Sequence, residues 1–220
     1  MKPVLSSLLS KIPGLIHGFG TSEEPMISSI LPAWNALKPS WKQVHKADIA
    51  RVIYPHQNCG EVDALWTTEF ALPISVVTAD CVPVLLARKD GKAVAAVHAG
   101  WRGTRAHILS ALWDKLKAEG ELPSEWVAAI GPAIGPCCYE VSEELAQDFE
   151  QEFASYGKGV AVPKHRILDL PAINAKELEK IGVKEVDLLR HCTRCNEAFH
   201  SYRREGGGTR QYSSIMIQSF

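Results

Sequence analysis

ISVVTADCVPVLLARKDGKAVAAVHAGWRGT, residues 74–104, decides how the chain is read. Two apolar, β-branched runs, Ile74–Val77 and Val82–Leu86, flank Ala79-Asp80-Cys81. Lys89-Asp90-Gly91 is a turn signal, and a third apolar run, Ala93–Val97, ends at His98. Short apolar runs bounded by turns are buried strands. Cys81 and His98 therefore stand at strand ends, where side chains can converge on a ligand. Gly100 and Gly103 let backbone approach closely. Thr104 is the expected N-cap of the next helix, whose free N–H groups would suit an anion, with Arg102 at the same mouth.

Outward from this stretch, Ile108, Leu109, Leu112, Trp113 and Leu116 have helical spacing, and Gly120 suits the helix end. Trp126–Ile130 is a buried-strand pattern. Ser142 is placed to cap a helix with Glu143 and Glu144 in its first turn and Leu145, Phe149 and Phe153 as its apolar stripe. Pro171 suits the first turn of a third helix that ends at Gly182. Val186–Leu189 and Gln211–Ile217 are further strand candidates. Toward the N-terminus, Ile16–Phe19, Gln43–His45 and Ile49–Ile53 are expected strands, and residues 28–39, with two prolines and no clear period, an excursion over the surface. Alternating strands and helices make this an α/β chain, and 220 residues suit a single domain, 1–220.

Composition narrows the function. A net charge of −1 gives no global drive toward nucleic acid or membrane. No apolar run approaches the roughly 18 residues that would span a bilayer. The N-terminal MKPVLSSLLSKIPG is a poor signal peptide, so the chain reads as cytoplasmic and its six cysteines as thiols or ligands rather than a disulfide framework.

Several pieces together carry a resemblance. They are Gln43-Val44-His45, Thr78-Ala79-Asp80-Cys81-Val82-Pro83, His98-Ala99-Gly100-Trp101-Arg102-Gly103, Ile130-Gly131-Pro132, Cys138-Tyr139-Glu140-Val141, Cys192-Thr193 and Ser201-Tyr202-Arg203-Arg204. In this order, over roughly residues 43–215, the chain resembles the laccase-domain family, long described as polyphenol oxidases and later associated with purine nucleoside phosphorylase activity. The resemblance implies mixed β-sheets packed together with flanking helices. It implies a Zn²⁺ held by His45, Cys81 and His98, and substrates among adenosine, inosine and methylthioadenosine, with phosphate as co-substrate. Adenosine deamination is also credited to the family. Departures occur at Ser22, Lys46 and His200, where the family has Arg, Gly and Phe, and at Gly208-Thr209-Arg210, where it has Thr-Gly-Arg.

The chemistry agrees with zinc. One thiolate and two imidazoles form a borderline-soft set, and three protein ligands leave a fourth position open. The same set can hold copper, but no methionine is an obvious axial ligand, and the chain has no His-x-His pair of the kind a laccase needs. Copper is therefore expected only on loading in vitro. Arg102 is expected to position phosphate or substrate, Asp80 to transfer a proton or orient a metal ligand, and Arg210 to bind phosphate. The rival reading is a metal-free cysteine hydrolase, with Cys81 as nucleophile and His98 or His45 as base. Cys192-x-x-Cys195 has no second CxxC at ribbon spacing, so neither a ribbon zinc nor a redox role is expected of it. Cys137 and Cys138 are read as packing or lining a pocket.

Overall fold

The computed structural model describes residues 1–218. In chain order the elements are β1 (Leu15–Phe19), α1 (Leu31–Leu37), β2 (Ser40–Lys42), β3 (Ile49–Arg51), β4 (Asn58–Glu61), β5 (Ala64–Thr67), β6 (Ile74–Thr78), β7 (Val82–Arg88) and β8 (Val94–Ala99). They continue with α2 (Trp101–Arg105), α3 (Ile108–Ala118), β9 (Trp126–Ile130), α4 (Glu143–Glu152), α5 (Leu170–Ile181), β10 (Glu185–Leu188), α6 (Tyr202–Glu205) and β11 (Gln211–Ile217).

Three layers result. The central sheet has the order β10-β9-β7-β8-β5-β3 and is mixed: β10 runs parallel to β9 and β3 to β5, while β7, β8, β9 and β5 pair antiparallel. An antiparallel sheet, β1-β11-β6, covers one face, and β2 and β4 form a small parallel pair. Successive side chains of a strand point to opposite faces, and the core divides accordingly. Leu65, Leu85, Ala87, Val94 and Ala96 pack toward Phe19, Ile74, Val76 and Ile215 of the smaller sheet. Trp66, Val84, Leu86, Ala95 and Val97 pack toward the helices, meeting Leu109, Leu112 and Leu116 of α3 and Ile173 and Leu178 of α5. Strands covered on both faces need apolar residues along their length, which is why β7 and β8 are apolar except for Arg88 at the end of one and His98 near the end of the other.

Local signals explain the helix ends. Ser142 Oγ accepts from the Leu145 N–H (3.3 Å) at the start of α4. Asp169 Oδ1 accepts from the Ala172 N–H (2.9 Å) at the start of α5, with Pro171 in its first turn. Gly182, at φ 108°, ends α5 in a conformation that favours glycine.

Three expectations are corrected. Residues 28–39 contain α1, whose Trp34 packs with Met26, Ile27, Ile30 and Met216 in a small core of its own. Its Pro32 lies in the first turn, where no N–H is missed, so that proline opens a helix rather than breaking one. Gln43–His45 is not a strand; β2 ends at Lys42 and His45 turns at φ 59°. Thr104 is not an N-cap. The helix starts one turn earlier, capped by Gly100, and Thr104 is buried within it. With only five residues in α2, its N-terminus offers little dipole for an anion.

The N-terminal segment is fastened by a buried histidine. The Ser6 N–H donates to His17 Nε2 (3.0 Å), and Ser6 Oγ donates to Asp187 (2.7 Å) on β10. Burial pushes the His17 imidazole down to about 4. An unfolded histidine takes up its proton near 6.5, so between these values the unfolded chain binds a proton that the folded chain refuses. His17 thus contributes stability that is present above pH 6.5 and lost as pH falls toward 4, about 2 kcal/mol of it by pH 5. Urea unfolding at pH 7 and pH 5 is expected to show this loss in the wild type, and a clearly smaller one in His17→Gln, which retains an acceptor but does not titrate.

Candidate functional site

Asp63 lies in the turn before β5 and is fully buried. Its carboxylate accepts the N–H groups of Val44 (3.2 Å), His45 (3.0 Å) and Lys46 (2.8 Å), and so gathers the loop after β2 into a tight turn. Gln43 fastens the same loop to β6, with its side-chain amide donating to the Val77 carbonyl (2.8 Å) and accepting the Val77 N–H (2.7 Å). Asp63 Oδ1 also sits 2.7 Å from His98 Nδ1. That contact assigns the Nδ1 proton and leaves Nε2 as the His98 nitrogen that can bind a metal on losing its proton.

Strand pairing brings Cys81 up to this point. Val82 of β7 lies opposite Ala99 of β8, so Cys81, just before β7, meets the end of β8 where His98 stands. The ligand atoms of His45, Cys81 and His98 all lie within 4.8 Å of one another. The two imidazoles meet edge to face, with ring centroids 4.7 Å apart. A Cβ on Gly100 would stand 3.0 Å from Cys81 Sγ and 3.1 Å from His45 Cδ2, so any side chain there would press on these two groups. One thiolate and two imidazoles at such separations fit a metal ion with an open fourth position.

The electrostatics of the trio favour a thiolate at Cys81 and an imidazolium at His98, so a metal binding here would displace the His98 Nε2 proton. Burial alone would raise the Cys81 thiol, but hydrogen bonds and charge from His45 and His98 outweigh it and bring it down to about 6. Burial alone would lower His98, but Asp63 and Cys81 hold it up at about 9. Burial opposes ionisation of Asp63 too, and His98 and the N–H groups of Lys46 and Val44 overcome it, so that carboxyl stays below its ordinary range.

Asp80 has a different place from the one expected of it as a ligand orienter. It adopts φ 83°, and both its oxygens are engaged by other residues. Its Oδ1 accepts from Thr193 Oγ1 (2.6 Å) and its Oδ2 from the Arg203 N–H (2.6 Å). It therefore ties the chain after β10 to the start of α6, and orienting the histidine falls to Asp63. Sequence reading passed over Asp63 because its partners lie 17–19 and 35 residues away.

The trio forms part of the floor of a cleft of about 940 Å³. Arg102, Arg203 and Arg210 line it, as do the aromatic rings of Trp34, Trp41, Tyr139 and Tyr212. The Arg102 guanidinium lies over the Trp101 ring at 4.3 Å and, among the described residues, pairs with no carboxylate. Tyr139, raised to about 12 chiefly by burial, keeps its phenolic proton and can donate it as a hydrogen bond. Asp63→Asn is expected to weaken metal binding about 10–100-fold, because it removes the charge that orients His98. Competition with a chelator measures this, and an unchanged affinity would show that Asp63 does not govern the centre.

The sequence and fold have known relatives. A family model described as multi-copper polyphenol oxidoreductase laccase matches residues 32–218. "Purine nucleoside phosphorylase YlmD" of Geobacillus stearothermophilus is 34% identical over 184 residues, 76% of this chain and 67% of that one. "Purine nucleoside phosphorylase YfiH" of Escherichia coli is 32% identical over 183 residues, 82% of this chain and 74% of that one. The crystal structure of the Geobacillus YlmD superposes with a TM-score of 0.79 at 27% identity, covering 94% of this chain and 93% of that one. A Neisseria meningitidis protein shares the fold over the full length of both chains, with a TM-score of 0.81 at 23% identity. Two curated relatives carry the name purine nucleoside phosphorylase, and with the family model spanning nearly all of the chain and relatives above 30% identity, this protein belongs to the family described as multi-copper polyphenol oxidoreductase laccases.

Proposed function

We propose that the protein is a zinc-dependent purine nucleoside phosphorylase of the cytoplasm, acting on adenosine, inosine and methylthioadenosine. The observation that carries this reading is one cleft that three arginines and six tryptophan and tyrosine side chains line together with the His45, Cys81 and His98 trio. Aromatic faces suit a purine base, and guanidinium groups suit phosphate. The names of the curated relatives support the same activity.

In phosphorolysis a phosphate oxygen bonds to C1′ of the ribose while the bond from C1′ to the purine nitrogen breaks. The electron pair leaves with the base, which takes up a proton. Arg102 and Arg210 neutralise and orient the phosphate, and Trp34, Trp41 and Tyr212 hold the base by its faces. Tyr139 offers a neutral O–H to a developing negative charge. Asp80 acts as a positioning residue, since both its oxygens are engaged by Thr193 and Arg203. Zinc, when held by His45, Cys81 and His98, supplies Lewis acidity at the open fourth position. The same position serves adenosine deamination, a second activity within this reading. Copper could enter such an N/S site on loading in vitro, since it binds more tightly than zinc.

The rival reading, a metal-free cysteine hydrolase, has one observation in its favour: Cys81 lies between two imidazoles that lower its thiol to about 6. Alkylation separates the two. A bound metal shields Cys81, whereas a free Cys–His pair reacts rapidly at neutral pH.

Incubation of the purified protein with adenosine, with and without phosphate, is expected to release adenine and a sugar phosphate only when phosphate is present. Phosphate-independent hydrolysis would overturn the proposal. Arg102→Met should weaken apparent phosphate affinity roughly ten- to a hundredfold, the equivalent of about 1.5–3 kcal/mol for a charge-assisted hydrogen bond, while leaving deamination and bound metal unchanged. Equal losses in both activities would remove Arg102 from phosphate binding.

A further inference from the structure

The four cysteines outside the trio converge on one point. Cys137 and Cys138 follow Gly135-Pro136 in the loop after β9, and Cys192 and Cys195 lie in the loop after β10. Because β9 and β10 are parallel neighbours, their following loops leave the sheet side by side. A backbone bridge between Ala133 and Cys192 continues the pairing beyond the strands. All four sulfurs lie within 4.8 Å of one another, with Cys137 to Cys195 at 3.5 Å and Cys138 to Cys195 at 3.0 Å. Thiolates around a tetrahedral Zn²⁺, with Zn–S near 2.3 Å, sit about 3.8 Å apart.

We propose that Cys137, Cys138, Cys192 and Cys195 form a second metal site, a tetrathiolate Zn²⁺ centre that staples these two loops and stands apart from the His45, Cys81 and His98 trio. Cys192-x-x-Cys195 has the spacing of a zinc knuckle. The Gly135 N–H donates to Cys192 Sγ (3.3 Å), as backbone amides do around bound thiolates. Arg194, between Cys192 and Cys195 in the chain, brings a positive charge that would offset part of what four thiolates leave in excess of the ion's own. Cys137 and Cys195 are exposed, an unusual place for thiols that only pack. On binding, the four thiols release their protons to solvent, and the closed coordination shell has no open position.

The staple has a clear target. Thr193, between two of the cysteines, donates to Asp80 (2.6 Å), and Tyr139, next to Cys138, lines the cleft. Otherwise this irregular stretch is held chiefly by backbone bonds and by Arg204, whose guanidinium donates to the carbonyls of Thr193, Arg194 and Phe199. A metal here would fix the cleft wall without touching substrate.

The test is elemental analysis of protein purified anaerobically with reductant and supplied with Zn²⁺ alone. The wild type is expected to hold about two zinc ions per chain, Cys81→Ala about one, Cys195→Ser about one, and the double variant none. Loss of all zinc in Cys81→Ala would overturn the proposal. Loss of all zinc in Cys195→Ser, with one ion in the wild type, would keep this site and remove the trio's metal, so the two readings fail separately. If Cys81→Ala does not fold, alkylation of the zinc-loaded wild type decides. Protection of the exposed Cys137 and Cys195 until a chelator is added supports the site. Their prompt alkylation, or a Cys138–Cys195 disulfide in the reduced preparation, overturns it.

Discussion

Everything at the candidate centre depends on one buried carboxylate. Asp63 has no solvent to share its charge with, so the protein supplies its hydrogen bonds: three backbone N–H groups from the loop at residues 44–46 and the ring of His98. Leaving any of these unmade would cost roughly 1–3 kcal/mol, more for a charged group. That penalty fixes the loop that presents His45 and the ring face that His98 turns toward Cys81. One residue thus orients two of the three candidate ligands, while the β7–β8 register places the third.

The layers of the fold give this carboxylate its setting. The central sheet is buried on both faces, so the ends of β7 and β8 cannot shift without moving both cores. Gly100 then allows the chain to leave β8 directly beneath the three side chains. The cleft above draws its walls from elsewhere: aromatic rings from α1 and β2 on one side, and Tyr139 and Arg203 on the other, where Asp80 and Thr193 join the chain segments. A rigid floor with separately fastened walls suits the proposed activity, which would need the site to admit both a nucleoside and an anion.

Much of this was legible in sequence because it obeys local rules. Largely apolar runs marked β6 to β9, and Ser142, Pro171 and Gly182 marked helix ends. The glycines around Trp101 pointed to close backbone approach. What stayed hidden depends on contacts between distant residues. An aspartate in a turn carries no sign that it will collect a loop 17–19 residues upstream and a histidine 35 residues downstream. Cys137 and Cys138 lie more than fifty residues from Cys192 and Cys195, with two helices and a strand between them, so neither pair alone predicts the cluster. Prolines in residues 28–39 suggested irregular chain, yet Pro32 occupies a helix first turn and the segment supplies an aromatic wall.

The central claim is that Asp63, by holding Nδ1 of His98, sets up a metal centre from His45, Cys81 and His98. Crystals of the zinc-loaded protein, with anomalous diffraction collected on either side of the zinc absorption edge, test it most directly. The account predicts an anomalous peak among these three side chains, bonded to Cys81 Sγ and to His98 through Nε2, with His98 Nδ1 still on Asp63. No peak at the trio, or coordination through His98 Nδ1 with Asp63 released, would contradict it.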